Sequence, residues 1–262
     1  MSSPLELSVI MPALNEEKDI GFAVGNTLHA FDDFEIDGEI IVVDDGSGDK
    51  TGEIVENLRK KDDRISVIHH KKTQGIGAAF WEGVDCSASN VVTMIPGDNE
   101  NDPWETLRYF KLLDHVDIVI PFVYNREIRA LWRNILSYVY RLIINVSFQV
   151  NFNYTNGTVL YRRNILKELK NRSAGFFFQT DILIQAVKRG YLFAEVPYRL
   201  GLRGAGHSKA ISFPSLVQVA EGYLRLIKDQ YSVFKIKKSE PFLEGTSTAK
   251  RCSYKNKNYR ES

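Results

Sequence analysis

The stretch that decides the fold is SVIMPALNEE (8–17), and two later stretches, IIVVDDGS (40–47) and VVTMIPGDNE (91–100), repeat its pattern. Each is a short apolar run that ends in polar residues, which is typical of a buried parallel strand. Ligands bind outside the carboxyl ends of such strands. The acidic residues at these three ends therefore meet at one rim of a sheet, and the sequence predicts a metal–nucleotide site there.

The apolar runs alternate with helical patterns, which predicts an α/β domain with a mostly parallel sheet and helices on both faces. The predicted strands of this first half are 7–12, 39–43, 65–70, 91–95 and 117–122. In the first predicted helix, Asn15 is the expected cap and the helix begins near Glu16.

After residue 125 the pattern changes. One long amphipathic helix is predicted over 127–148, and a later helix over 181–189 is expected to be capped by Thr180. Strands are predicted at 158–161 and 193–198. Residues 235–262 are lysine-rich and aperiodic, so a flexible basic tail is predicted after a domain of residues 1–234.

Size and composition place the chain among soluble single-domain proteins. Its 262 residues suffice for one α/β domain with a full core. Cys86 and Cys252 are too few for a disulfide framework or a zinc site, which favours a reducing, cytoplasmic location. The N-terminus lacks a signal-peptide pattern, and no apolar window reaches 18 residues, so we expect no membrane-spanning helix.

The charge is unevenly distributed, although the formal net charge is +1. Residues 1–125 carry 24 acidic and 10 basic side chains, whereas residues 126–172 carry 9 basic and 2 acidic ones. The acidic half suits a metal–nucleotide site, and the basic segment suits a phosphate or an anionic membrane surface. Solvated helix faces explain such charge runs equally well. Nucleic acid is not expected as a partner because the basic segment carries no known binding motif.

Seven segments together make the sequence recognisable. They occur in order between residue 7 and about residue 210: VIMPALNEE (9–17), EIIVVDDGSGDKT (39–51), QGIGAAFWEG (74–83), PGDNENDP (96–103), LWRNILS (131–137), NGTVLYRR (156–163) and RGAGHSK (203–209). This set resembles the family 2 inverting glycosyltransferases, within the dolichol-phosphate mannose synthase-like, or polyprenyl-phosphate, group. The resemblance implies a GT-A fold and transfer of a sugar from a nucleotide-diphosphate sugar to an acceptor.

The resemblance also implies a donor pocket. In relatives the first acidic residues at the rim contact the nucleobase and ribose, and the matching pair here is Asp44 and Asp45. By the same resemblance Pro12, Leu14 and Glu16 line this pocket, with Asp45 and Asp49 nearby. Gly75 opens a glycine-bearing loop whose backbone amides can hold phosphate. The alternative for that loop is close packing of a helix on the sheet, and we expect a positional role.

The metal segment departs from the family pattern. Relatives carry two aspartates that flank one residue, and alignment on Asp102 places Asp98 on the second of them. Pro96 takes the first position, and Glu100 takes the place of a common glutamine. Asp98 and Glu100 remain as two carboxylate ligands for Mg²⁺ or Mn²⁺. The departure also keeps open a catalytically degenerate nucleotide-sugar-binding module.

Two further segments match residues that bind phosphates in relatives. Arg133 and Ser137 lie four residues apart on one helix face, and their counterparts hold the phosphate of a lipid acceptor. Arg203, Ser208 and Lys209 match a loop suited to clamp the donor's diphosphate. The alternative for both groups is a solvated basic surface. Arg126 is expected to replace a family arginine that is missing near Val123.

The acceptor stays open between two chemistries. A polyprenyl phosphate is preferred, and the helix over 127–148 would then lie on a membrane surface rather than pack its apolar side on the sheet. A membrane-embedded partner subunit is possible in that case. With a glycan or glycolipid hydroxyl as acceptor, Asp181 is the candidate base, although it also suits the first turn of a helix. The pair His69-His70 ends a predicted strand and is interpreted as structural.

Overall fold

The structure is a computed structural model that describes residues 5–125, 131–169, 171–200, 213–231 and 241–258. The side chains of Arg133 and of residues 213–216 and 255–258 are not part of this description. The predicted diphosphate clamp (Arg203, Ser208 and Lys209) and Arg126 lie outside the described residues.

The described residues form a seven-stranded sheet whose order is β3-β2-β1-β4-β6-β5-β7. The strands are β1 (Leu7–Ala13), β2 (Gly38–Asp44), β3 (Ile65–His69), β4 (Val91–Met94), β5 (Ile118–Val123), β6 (Leu160–Arg162) and β7 (Phe193–Tyr198). β6 is antiparallel to both of its neighbours, and the other neighbouring pairs are parallel. The predicted α/β class with a mostly parallel sheet is confirmed.

Helices cover both faces of the sheet. They are α1 (Ile20–Asp33), α2 (Thr51–Arg59), α3 (Ile76–Cys86), α4 (Pro103–Leu107), α5 (Leu131–Phe148), α6 (Arg163–Lys167), α7 (Phe178–Lys188), α8 (Phe213–Tyr231) and α9 (Ser247–Asn258), with a 3₁₀ turn at Phe110–Asp114. Buried side chains of α1, α2 and α4 pack in one core cluster, and those of α3, α5, α7 and α8 pack in another. Successive side chains of the buried strands point to opposite faces of the sheet and contribute to the two clusters in turn.

The parallel strands bring their carboxyl ends to one rim. Ala13 of β1 is paired with Asp44 of β2, and β4 runs beside β1 in the same direction. At the other side of the sheet, Val123 of β5 is paired with Tyr198 of β7. Asn125 then exchanges two hydrogen bonds of 2.9 Å with the backbone of Leu200. Residue 200, the last one described before the predicted clamp, therefore lies at this same rim.

Two predicted helix caps are wrong because tertiary partners take the capping side chains. α7 begins at Phe178, so Thr180 is inside it, and the Thr180 hydroxyl lies 2.8 Å from the Tyr140 hydroxyl. α1 begins at Ile20 rather than near Glu16, and the Asn15 Oδ1 accepts a hydrogen bond from the Gly48 N–H at 2.8 Å.

The predicted lack of regular structure in the C-terminal segment is wrong, because this segment contains the helix α9. The buried carboxylate of Asp117, just before β5, accepts hydrogen bonds from the Ser247 N–H (2.6 Å) and the Thr248 N–H (3.1 Å). It also accepts one from the Leu192 N–H at 3.3 Å. A side chain from far along the chain thus caps this helix, which no local pattern can indicate. The domain limit at residue 234 stays a prediction.

Candidate active site

The loops that follow β1 and β2 are joined by reciprocal hydrogen bonds. The Asn15 N–H donates to the Ser47 hydroxyl at 3.0 Å, and the Gly48 N–H donates back to the Asn15 side chain. The Glu16 N–H donates to the Thr51 hydroxyl at 2.8 Å. These bonds hold Leu14 and Glu16, two of the predicted donor residues, beside the loop that carries the aspartates.

Asp49 organises the same pair of loops. One of its oxygens accepts from the Thr51 N–H and hydroxyl at 3.0 and 2.5 Å, and the other accepts from the Glu17 N–H at 3.1 Å. Slight burial raises the pKa of Asp49, but these hydrogen bonds outweigh it and leave the pKa lowered. The carboxylate stays ionised and fixes the loop geometry.

Asp44 is turned towards β3. Its Oδ1 accepts from the Ser47 N–H at 3.0 Å, and its Oδ2 lies 3.0 Å from the His69 Nδ1. The other ring nitrogen of His69 lies 3.2 Å from the Glu56 Oε1. Asp44, and to a smaller extent Glu56, raises the pKa of His69.

Asp45 is 4% exposed and joins three parts of the rim. Its Oδ1 accepts from the Gln74 N–H at 2.8 Å and lies 2.6 Å from the His70 Nδ1. Its Oδ2 accepts from the Gly75 N–H at 2.9 Å. Two amides at the start of the glycine loop are therefore already bonded to a carboxylate, so Asp45 positions this loop.

The glycine loop packs against the backbone of residues 173–174. The Gly77 N–H donates to the Ala174 carbonyl at 3.0 Å, and a Cβ at Gly77 would lie 2.6 Å from atoms of both Ser173 and Ala174. Gly75 has a φ of +99°, which favours glycine. These contacts favour the packing alternative over a phosphate-holding role for this loop.

The predicted metal segment continues β4 alongside β1. The Gly97 N–H donates to the Pro12 carbonyl at 3.0 Å, and a Cβ at Gly97 would lie 2.6 Å from the Ile20 side chain. Such a Cβ would also lie 3.2 Å from the Ala13 Cβ, so a larger residue at this position would require these side chains to shift. Asp98 follows directly, and its Oδ1 accepts from the Glu100 N–H at 3.1 Å. The structure thus brings Pro12, Asp98 and Glu100 to one place on the rim.

The carboxylates of this turn suit a metal ion that is held jointly by the protein and by a bound diphosphate. Asp98 and Glu100 supply two partly exposed carboxylates, the hard oxygen ligands that Mg²⁺ and Mn²⁺ take. Within the described residues, no group of three or more histidines, cysteines, aspartates and glutamates is placed to hold a metal. A complete coordination shell therefore requires oxygens from a bound diphosphate and from water.

Asp181 is almost fully buried and faces α8. Its Oδ1 accepts from the Gln185 side-chain amide at 2.8 Å, and its Oδ2 lies 3.2 Å from an Arg225 guanidinium nitrogen. Burial raises the pKa of Asp181 even though Gln185 and Arg225 act in the opposite direction. Both oxygens of this candidate base thus have partners within the protein.

The helix α5 presents its apolar side outwards. Its exposed large apolar side chains are Leu131, Trp132, Ile135, Leu136, Tyr138, Val139, Leu142, Ile143 and Val146. Ile144 and Phe148 point into the core instead. The apolar side of this helix is therefore exposed and does not pack on the sheet, contrary to the second alternative. Ser137 is also exposed on the same helix.

Polar contacts fasten α5 to the helices beneath it. The Tyr140 hydroxyl bonds Thr180 of α7, and the Ser147 hydroxyl lies 2.7 Å from the Tyr223 hydroxyl of α8. Burial raises the pKa of Tyr140 to about 12, so its hydroxyl keeps its proton. α5 is thus a fixed part of the domain. No helix of the described part of the chain is long and apolar enough to cross a membrane.

Comparison with known proteins identifies the class. The family model "Glycosyl transferase family 2" matches residues 8–170. The chain belongs to this family and is a glycosyltransferase with the GT-A fold.

Curated relatives narrow the group. Polyprenol monophosphomannose synthase of Mycolicibacterium smegmatis is 31% identical over 220 residues, covering 77% of this chain and 79% of that protein. Undecaprenyl-phosphate mannosyltransferase of Micrococcus luteus is 24% identical, covering 78% and 87%. Dodecaprenyl-phosphate galacturonate synthase of Rhizobium johnstonii is 28% identical, covering 63% of this chain and 50% of that protein. The recognised polyprenyl-phosphate group is confirmed.

Solved structures confirm the fold. Glucosyl-3-phosphoglycerate synthase of Mycobacterium tuberculosis, in complex with UDP, superposes with a TM-score of 0.62 at 20% identity, covering 88% of this chain and 82% of that one. The same enzyme with Mn²⁺, UDP and phosphoglyceric acid gives a TM-score of 0.61 at 22% identity, covering 85% and 78%.

His69 and His70, interpreted from the sequence as structural, make contacts that the sequence did not predict. Each ring lies between an aspartate of the loop after β2 and a glutamate of a helix, Glu56 for His69 and Glu82 for His70. The sequence did carry a signal for these contacts. The histidine pair lies at the end of β3, and the two aspartates lie at the end of the neighbouring strand β2.

Substitution of Gly77 by alanine should destabilise the glycine loop. The added methyl group meets backbone atoms that cannot rotate away, so we expect a loss of about 1–3 kcal/mol in the free energy of unfolding. Urea denaturation measures it. Gly25→Ala is the matched control, because a Cβ there has nothing within 4 Å and an alanine inside α1 should stabilise by about 0.5–1 kcal/mol. Equal stability of Gly77→Ala and wild type would contradict the packing role.

Proposed function

We propose that this protein transfers a sugar, with inversion, from a UDP- or GDP-sugar to a polyprenyl phosphate. The observation that carries the proposal is the shared rim. The proposed donor loops, the Asp98–Glu100 turn and the end of β5, the strand that precedes the exposed apolar helix α5 in the chain, all lie at the carboxyl ends of the parallel strands. Relatives whose names specify polyprenol or undecaprenyl phosphate chemistry support the choice of acceptor.

On the donor side, Pro12, Leu14 and Glu16 are proposed to line the nucleoside pocket. Asp44, Asp45 and Asp49 shape this pocket through the hydrogen bonds that fix the neighbouring loops. Asp98 and Glu100 would hold Mg²⁺ or Mn²⁺ together with the donor's diphosphate. When bound, such an ion offsets the charge on the leaving diphosphate.

The segment RGAGHSK (203–209), which lies outside the described residues, is proposed to complete the donor side. Arg203, Ser208 and Lys209 are proposed to donate hydrogen bonds to the diphosphate, which stabilises the same developing charge. Support comes from Leu200, which is fastened to Asn125 at the rim, so the segment that carries these residues starts there.

On the acceptor side, Arg133 and Ser137 are proposed to hold the lipid phosphate. They are one helical turn apart on α5, so they share a face, and Ser137 is exposed. A phosphate oxygen is already ionised near neutral pH, so its attack on the anomeric carbon requires no strong base. A base for a hydroxyl acceptor must reach that hydroxyl. The Asp181 carboxylate is instead hydrogen-bonded to Gln185 and Arg225, which favours the phosphate acceptor.

The membrane is the proposed partner of the exposed side of α5. An amphipathic helix with aliphatic and aromatic side chains outwards is suited to lie in the interface of a bilayer. The acceptor's phosphate would then meet Arg133 and Ser137 on this helix. We propose a peripheral location on the cytoplasmic face, with an embedded partner subunit as a possible addition.

Asp98→Asn tests the donor and metal side. Loss of one metal-binding charge should reduce transfer of radiolabelled sugar by at least about 100-fold, while the free energy of unfolding stays unchanged. Asp33→Asn, an exposed aspartate at the end of α1, is the control and should keep full activity. Full activity of Asp98→Asn would contradict the assignment. Nucleotide binding without transfer in the wild type would instead favour the degenerate module.

Asp181→Asn separates the two acceptor chemistries. With a polyprenyl phosphate acceptor, transfer should stay within about threefold of wild type, because general-base catalysis, worth about 10²–10⁴-fold, is not used. The measurement is the initial rate of lipid-linked product at saturating donor. A loss of more than about 100-fold in a folded variant would indicate a hydroxyl acceptor with Asp181 as base.

Ile135→Glu tests the membrane side. A charge in the centre of the exposed face of α5 should lower partition onto vesicles of mixed neutral and anionic lipids by about tenfold or more. Cosedimentation with vesicles measures it. Phe22→Glu is the matched control, since Phe22 is an exposed apolar residue of α1 on the opposite face of the sheet. Equal loss in both variants, or in neither, would argue against a specific membrane face.

A further inference from the structure

His70 lies between two carboxylates at the donor site. Its Nδ1 is 2.6 Å from the Asp45 Oδ1, and its Nε2 is 2.6 Å from the Glu82 Oε2. The His70 side chain is 3% exposed, whereas that of Glu82 is 44% exposed. A neutral imidazole carries one N–H and can donate to one of these carboxylates. The doubly protonated, cationic ring donates to both carboxylates at once and so satisfies the observed arrangement with both carboxylates ionised.

The surroundings of the ring favour this charge. Burial of His70 lowers its pKa, but the hydrogen bonds and charges of Asp45 and Glu82 outweigh burial, so the pKa is raised. Among the described residues, the charged groups that face the ring are Asp45, from the end of β2, and Glu82, from α3. The neighbouring His69 is bonded to a separate pair, Asp44 and Glu56.

Asp45 depends on this cation. Its other hydrogen-bond donors are the neutral amides of Gln74 and Gly75, and within the described residues His70 is the group that forms an ion pair with it. A buried carboxylate without a cationic partner is costly. If His70 lost its proton, the negative charge of Asp45 would no longer be balanced. In the proposed function this charge lies next to an anionic nucleotide and would repel it.

We propose that His70 is a positioning residue whose protonation sets the affinity of the donor site for the nucleoside diphosphate. The cationic ring neutralises Asp45 and holds the start of the glycine loop. Glu82 keeps the ring charged, and because Glu82 is half exposed, it can turn into water when the ring becomes neutral. This inference rests on the proposed function, since it concerns the same donor site.

The sign of the pH dependence follows from the geometry. Because the pKa of His70 is raised in the folded protein, the stabilising contacts are complete below the ordinary histidine pKa of about 6.5. They are lost as the pH rises through the raised value. Nucleotide affinity should fall over the same window, by about tenfold for each unit by which the bound nucleotide raises the pKa of His70.

The experiment measures the binding of UDP and of GDP, each with Mn²⁺, by calorimetry from pH 6 to pH 9. NMR titration of the His70 ring and protection of the Gln74 and Gly75 amides against hydrogen exchange are followed over the same range. Glu82→Gln should shift the midpoint of all three to lower pH. His70→Gln should bind weakly at every pH, without the midpoint. The control His115→Gln removes an exposed histidine at the amino end of β5 and should reproduce the wild-type curve.

The outcomes separate the role of His70 from the proposed function. Nucleotide affinity that is independent of pH, or that keeps its midpoint in Glu82→Gln or His70→Gln, would overturn the role of His70 and leave the proposed function intact. Failure of both nucleotides to bind at any pH would count against the proposed function. In that case loss of amide protection at the His70 midpoint would support the positioning role, and constant protection would overturn it.

Discussion

Burial of the Asp45 carboxylate at the end of β2 is the constraint on which the proposed donor site depends. A carboxylate that is nearly removed from water needs donors and a cation, and the fold supplies both from β3 and from the start of α3. These bonds join the end of β2 to the loop after β3 and to the start of α3, and separate bonds of Asn15 and Glu16 join the loop after β1 to the loop after β2. The proposed donor pocket is therefore shaped by contacts within the protein.

The attachment of α5 to the helices beneath it is a second constraint. This helix follows β5 in the chain and is fastened to α7 and α8 by Tyr140, Ser147 and two inward apolar side chains. Its outer side is consequently presented as a rigid apolar surface. This exposed apolar surface, together with the relatives, supports the proposed polyprenyl phosphate acceptor.

Local sequence patterns were sufficient for the parallel strands and their common rim. Buried parallel strands read as continuous apolar runs, so the ends of β1, β2 and β4, with Glu16, Asp44 and Asp98, could be predicted directly. The family and the fold were recognised from motifs in register. Features that depend on distant partners could not be predicted in this way. Thr180 bonds Tyr140 instead of capping a helix, and Asp117 caps α9 across the domain. The pairing of His70 with Asp45 likewise required the register of β2 and β3.

The most direct test of the central claim is transfer of radiolabel from a panel of UDP- and GDP-sugars to a short polyprenyl phosphate, with Mn²⁺, with Mg²⁺ and with a chelator. The account predicts metal-dependent label in the organic phase from one donor, and none with the chelator. No lipid-linked product despite saturable, metal-dependent nucleotide binding would contradict the proposed acceptor. Nucleotide binding without metal dependence or transfer would contradict the proposed catalytic function itself.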